Sequence, residues 1–181
     1  LQREMFNDIG SGTAVSDLTS NAKYPGRPDT LVALTNYASA VDVADNYGSR
    51  IRGYLTPTDS GSYTFFISSD DYSLLRFSTD GTPSSAVAIA SVPGWTSVNT
   101  WTSYAQQKSA AVTLVAGQRY YLDALQKEGG GGDHVEVGWA GPGIVDANGL
   151  ASTNVIAGSF LTPVDINAAP QFANQTLQVF D

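Results

Sequence analysis

The chain has 181 residues, 42% of them hydrophobic, which is enough for one domain with a full core plus a short tail and excludes a disordered chain. Nine basic residues face seventeen acidic ones, and the net charge of −8 argues against a phosphate backbone or an anionic membrane surface as partner. There is no cysteine and one histidine, so disulfide frameworks, thiolate metal sites, cysteine nucleophiles and histidine clusters are excluded as well.

At Leu1 the chain opens without an initiator Met or a signal peptide and reads as an excised fragment. No apolar run is long enough to span a membrane as a helix, and no membrane insertion is expected. A short helical turn is expected around Val15 to Ser20, and no long amphipathic helix follows. Strand signals then dominate. Thr58-Asp59-Ser60-Gly61 reads as a turn, and in Tyr63-Thr64-Phe65-Phe66-Ile67-Ser68 the alternation puts Tyr63, Phe65 and Ile67 on one face. Leu75 and Phe77, then Val87 and Ile89, repeat that period on either side of a turn at Thr79-Asp80-Gly81-Thr82. Ala111 to Leu114 and Arg119 to Leu125 read as strands around Ala116-Gly117. Val135, Val137 and Trp139 alternate with His134, Glu136 and Gly138, which puts the second set on the outward face. The fold class is therefore all-β, an antiparallel β-sandwich or flattened barrel over residues 1–163. Residues 164–181 read as a linker and the start of a neighbouring cadherin-like or immunoglobulin-like repeat, with a strand that packs back on the sandwich as the alternative.

Two segments carry chemistry. Ser68-Ser69-Asp70-Asp71-Tyr72 directly follows a hydrophobic strand, and Lys127-Glu128-Gly129-Gly130-Gly131-Gly132-Asp133-His134 directly precedes another. Neighbouring side chains of an extended trans chain point apart, so Asp70 and Asp71 share a ligand only if the peptide between them is cis. A divalent cation that uses both carboxylates would enforce such a bond; a solvated turn is the plain alternative. Consecutive glycines let backbone carbonyls converge on a point, and calcium accepts carbonyl and carboxylate oxygens alike. A phosphate-cradling loop is disfavoured, because no Lys-Ser/Thr follows the glycines and a strand stands where the helix would start. Hard oxygen donors favour calcium over zinc or copper. The metal set expected from these segments is Asp70, Asp71 and Asp133 with Gly131, Gly132 and His134. Waters on such an ion can be replaced by the vicinal hydroxyls of a sugar, so Asp70, Asp71, Tyr72, Glu128, Gly130, Asp133 and His134 form the expected sugar-binding set. Trp95, Trp101 and Trp139 are read first as core or rim packing, and Arg50 and Arg52 as structural ion pairs.

The chain resembles the PA14 (protective-antigen) domain family. The resemblance is carried by Tyr47-Gly48-Ser49-Arg50-Ile51-Arg52-Gly53-Tyr54-Leu55, Ser60 to Phe65, Ser69-Asp70-Asp71, Trp101, Gln107 to Ser109, Ala116-Gly117-Gln118-Arg119-Tyr120-Tyr121 and Lys127 through Trp139, in family order. It implies a β-sandwich or barrel. In the lectin branch it also implies a cis-linked aspartate pair holding calcium, matched by Asp70 and Asp71, with a second loop completing the site where Gly129 to His134 stands. The absent cysteines and the repeat-like tail point to the branch found in bacterial repeat adhesins.

The function expected is a calcium-dependent lectin module of a secreted adhesin at the bacterial cell surface. It would be monomeric as an isolated domain, flanked by repeat domains, and would bind cell-surface glycans or monosaccharides. It is not expected to be an enzyme: glycoside hydrolysis needs two carboxyl groups about 5–9.5 Å apart across the sugar, and adjacent aspartates sharing a metal do not supply them. The competing reading is a structural or protein-interaction module stabilised by calcium.

Overall fold

In a computed structural model the described residues are 1–144 and 153–165. They form eleven strands: β1 (Gln2–Phe6), β2 (Thr30–Ala33), β3 (Gly48–Leu55), β4 (Gly61–Asp70), β5 (Tyr72–Ser78), β6 (Val87–Val92), β7 (Val112–Leu114), β8 (Tyr120–Lys127), β9 (His134–Ala140), β10 (Asn154–Val155) and β11 (Leu161–Pro163). One sheet runs β2-β1-β3-β8-β5-β6 with β11 added on β3; the other runs β10-β9-β4-β7. All named pairings are antiparallel. Two separate sheets packed face to face make this a sandwich, not a closed barrel.

The alternation expected for β4 holds: Tyr63, Phe65 and Ile67 are buried between the sheets with Leu75, Phe77, Val135, Val137 and Trp139. The rings of Phe65 and Phe77 lie 5.1 Å apart across the sheets, and Tyr63 stacks on Trp139 at the same separation. The other face of the large sheet is covered at one end by α1 (Val15–Thr19), whose Leu18 packs with Phe6 and Leu125. Asp17 starts this helix by accepting the Ala14 amide at 3.1 Å. Further along that face the cross-strand partners are ionic. Glu4 is held between Arg50 and Arg52, at 2.6 and 2.5 Å. Arg76 pairs through two nitrogens with the fully buried Asp123, which also accepts the Tyr121 hydroxyl at 3.0 Å.

Three features differ from the sequence reading. Strands β1 and β2 were not expected, because β1 buries Arg3 on one face and Glu4 on the other, both invisible to an apolar pattern. The second face of β9 is not outward: His134 and Glu136 are buried beneath the segment that follows β6, with Glu136 accepting the Asn99 amide and Trp101 packed against Gly138. The tail assignment falls largely on residues 166–181, which lie outside the described residues.

One property of this topology decides where chemistry gathers. β4 belongs to the small sheet and β5 to the large one, so the chain crosses between sheets at Asp70-Asp71-Tyr72. β8 belongs to the large sheet and β9 to the small one, so the chain crosses back at Glu128 to Asp133. Tyr72 pairs with Lys127 and Asp70 pairs with His134, which puts both crossings side by side at one end of the sandwich.

Replacing Asp123 by Ala leaves the Arg76 guanidinium and the Tyr121 hydroxyl without their shared acceptor. Chemical denaturation is expected to show a loss of about 3 kcal/mol, in the range for breaking one side of a buried pair.

Candidate metal centre

The Asp70-Asp71 peptide bond is cis. One carboxylate oxygen from each of Asp70, Asp71 and Glu128 lies within 4.8 Å of the other two. The backbone around the pair is held from several sides. The Gln126 amide nitrogen donates to the Asp70 carbonyl at 2.6 Å, and the Ser69 hydroxyl donates to the Asp71 carbonyl at 2.6 Å. The Asp71 amide donates to Glu128 Oε2 at 2.9 Å, while the Gly129 amide donates to Asp71 Oδ2 at 3.1 Å. Glu128 is fully buried, and its second oxygen, Oε1, has no hydrogen-bond partner. A buried carboxylate oxygen left open beside two further carboxylates is an arrangement that a hard cation satisfies.

The electrostatics agree. Burial, then repulsion from Asp71, Asp133 and Asp42, pushes the Asp70 carboxyl up to about 6. Burial, then repulsion from Asp71, pushes Glu128 up to about 7. Both shifts mean that the ionised trio is disfavoured while no counter-charge is present.

The glycine loop is not free. The amide of Asp42 donates to the Asp133 carbonyl at 2.9 Å, and that of Asn46 to the Gly129 carbonyl at 3.2 Å. Asp45 Oδ1 accepts the Gly131 amide at 3.2 Å, with Gly131 in the left-handed region at φ +112°. Asp133 Oδ2 accepts the amides of Val43 and Ala44 at 2.6 and 2.9 Å. Residues 42–46 thus lie along the loop as a template, and sequence reasoning missed them. The signal was the run Asp42-Val43-Ala44-Asp45-Asn46, an acidic loop with neither strand nor helix periodicity.

Of the residues expected for the metal, Asp70 and Asp71 meet, joined by Glu128, which had been expected on the sugar side. Asp133 and His134 are not part of the set of ligand atoms within 4.8 Å. Asp133 holds the Val43 and Ala44 amides, and its other oxygen is buried without a partner. His134 turns Nε2 toward the Ser68 hydroxyl at 3.3 Å, and burial lowers its pKa. A Cβ on Gly132 would stand 3.3 Å from Asp70 Oδ2, so this glycine borders the trio directly; Gly130 and Gly131 are exposed at the loop tip. Tyr72 is exposed just beyond the aspartates. A pocket of about 220 Å³ reaches the trio at Asp70, and Gly132, Asp133, His134, Val41, Trp95 and Val98 also line it. Trp95 is 61% exposed where it lines this pocket, whereas Trp139 is packed in the core. Thr96 fixes this wall: its amide donates to the Ser69 carbonyl at 2.8 Å, and its hydroxyl lies 3.0 Å from that of Ser68.

A sequence profile for the PA14 domain matches residues 26–148. The chain belongs to the PA14 domain family. Among curated relatives, this PA14 domain is 37% identical over 133 residues to N-acetyl-beta-glucosaminyl-glycoprotein 4-beta-N-acetylgalactosaminyltransferase 1 of Mus musculus, a match covering 71% of the chain and 13% of the relative. It is also 37% identical over 84 residues to Fibrocystin-L of Mus musculus, covering 46% of the chain and 2% of that protein. The chain thus spans a small part of the curated relatives it matches. Among solved structures it is similar in fold to a PA14 sugar-binding domain from an RTX adhesin, with a TM-score of 0.63, 12% identity and coverage of 90% of this chain and 97% of that one. The Epithelial Adhesin 6 A domain from Candida glabrata, solved in complex with Galb1-3GlcNAc, gives a TM-score of 0.57 at 14% identity, over 91% of this chain and 87% of that one.

The raised carboxyls make a signed prediction for the cation-free PA14 domain. A carboxyl whose folded pKa lies above its unfolded value binds more protons folded than unfolded, so its contribution to stability is present below about pH 4 and is lost as pH rises through about 6 to 7. Thermal unfolding in chelator is expected to show a midpoint that falls between pH 4.5 and 7.5, and Glu128→Gln should flatten that slope.

Proposed function

We propose that this PA14 domain is a calcium-dependent carbohydrate-binding module. The observation that carries the reading is the carboxylate trio of Asp70, Asp71 and Glu128, with Glu128 Oε1 buried and open. Oxygen-only donors without a cysteine or a histidine in the set suit calcium, which takes six to eight oxygens. When bound, the ion would offer positions where two sugar hydroxyls replace water. The chain's own part is to hold the three carboxylates, to shape the glycine loop through Asp42, Asp45 and Asp133, and to supply a wall of Val41, Trp95 and Val98 against the C–H face of a ring. The sugar-bound adhesin domain with the same fold supports the carbohydrate reading. A role in adhesion at an extracellular surface is part of the same proposal, as is the absence of catalysis. In the transferase relative, of which this chain matches 13%, the corresponding unit would serve as a binding accessory to the enzyme.

Titration calorimetry with a panel of monosaccharides, with calcium and then with chelator, tests this. Sugar heats with calcium and none without it are expected. Asp70→Ala should weaken calcium binding about a hundredfold and abolish the sugar response. Trp95→Ala should leave calcium affinity unchanged and weaken the sugar about threefold to tenfold, the usual scale of a ring contact. Calcium binding with no response to any sugar would leave the metal centre standing and defeat the carbohydrate reading, in favour of a structural or protein-recognition module. Single-site affinity is expected to be weak and to gain from several copies on one surface.

A further inference from the structure

Residues 9–13, Ile9-Gly10-Ser11-Gly12-Thr13, lie before the first residue matched by the PA14 profile. They are nonetheless built into the acidic end. The Ile9 amide donates to the Asn46 carbonyl at 2.9 Å. The Lys127 ammonium donates to the Gly10 carbonyl at 2.7 Å and to the Glu128 carbonyl at 2.6 Å. One buried cation therefore ties this strap to the residue that supplies the third carboxylate. At Gly129 a Cβ would stand 2.9 Å from the Ser11 carbonyl oxygen, 2.8 Å from Thr13 Cγ2 and 3.4 Å from Asp71 Oδ2. The Ser11 oxygen and the Asp71 carboxylate thus border the same small space. Among the described residues no hydrogen bond reaches that Ser11 oxygen.

We propose that this strap is a further wall of the metal centre: Lys127 holds it in place, and the Ser11 carbonyl offers the cation a neutral oxygen beside the carboxylates of Asp70, Asp71 and Glu128. The proposal rests on the calcium reading above and assigns a role to residues outside the matched family region. Lys127 is on this account a positioning residue. Its effect has a sign that charge alone cannot give. The ammonium couples electrostatically to Asp17 and, less strongly, to Glu128 and Asp71, so removing it should strengthen calcium binding if it acts only as a charge, and weaken binding if it acts by holding the strap.

The test uses the full chain. Calcium is titrated by calorimetry into the parent, Lys127→Met and Gly129→Ala, the last of which keeps the ammonium but drives a methyl between Ser11 and Thr13. Unfolding in chelator checks that each variant is folded. Both variants are expected to bind calcium roughly tenfold more weakly, the scale seen when outer supports of metal ligands are removed. Hydrogen exchange at residues 10–13 should slow on adding calcium to the parent and not to the variants. Tighter binding by Lys127→Met, unchanged binding by both variants, or strap exchange indifferent to calcium would overturn the proposal. A parent that binds no calcium would instead overturn the cation reading itself, and the strap's role with it.

Discussion

Three carboxylates held within 4.8 Å of one another repel, and the rest of the acidic end is organised around that repulsion. Two unit charges about 4 Å apart near a protein surface interact by roughly 4 kcal/mol, so such a trio is not left to chance by packing. Backbone amides of Asp71 and Gly129 each donate to one of its oxygens, and a side-chain amide and a hydroxyl fix the carbonyls of the aspartate pair. These donors orient the oxygens without cancelling their charge. The raised carboxyls of Asp70 and Glu128 record burial first and this repulsion second. The sandwich makes this possible because two inter-sheet crossings meet at one end, where neither strand ladder dictates side-chain direction.

A second ring of carboxylates does different work. Asp42, Asp45 and Asp133 face backbone amides of the opposing loop. Four successive glycines lose more conformational freedom on ordering than any other residues, and these acids supply the contacts that offset that loss. The same composition that gives the chain its net charge of −8 is thus divided between oxygens aimed at one point and oxygens used as loop supports.

How much of this was legible follows from which interactions leave a pattern. The core strands did, because Tyr63, Phe65 and Ile67 alternate and Val135, Val137 and Trp139 repeat the period on the neighbouring strand of the same sheet. The aspartate pair and the glycine loop did, because both interrupt strong strands. β1 did not, because Arg3 and Glu4 take positions where a pattern reader looks for apolar residues; Arg3 is buried against Tyr47, donating to its hydroxyl at 2.6 Å. The burial of His134 and Glu136 was hidden for a similar reason: it depends on a segment far back in the chain folding over them, as with Asn99, 37 residues before Glu136. Glu128 was placed with the sugar contacts because position along the loop does not reveal which way a carboxylate turns. Asp133 and Glu128 are both acids flanking one glycine run, and only the fold separates the amide acceptor from the member of the trio.

The two ends of β3 are occupied very differently. At Gly53 the first residue of the chain and β11 meet, with Leu1 and the Thr162 carbonyl both against that glycine. At Gly48, five residues back along the same strand, stands the acidic end, paired with Lys127. A pull on anything held at the acidic end and resisted at Leu1 or Thr162 therefore runs lengthwise along β3 and β8. Their eight cross-strand pairs then carry the load side by side, as in a lap joint, and must give way together instead of opening one after another like a zip. The hydrogen-bond ladder that gives the sandwich its shape also sets the direction in which it is hardest to tear.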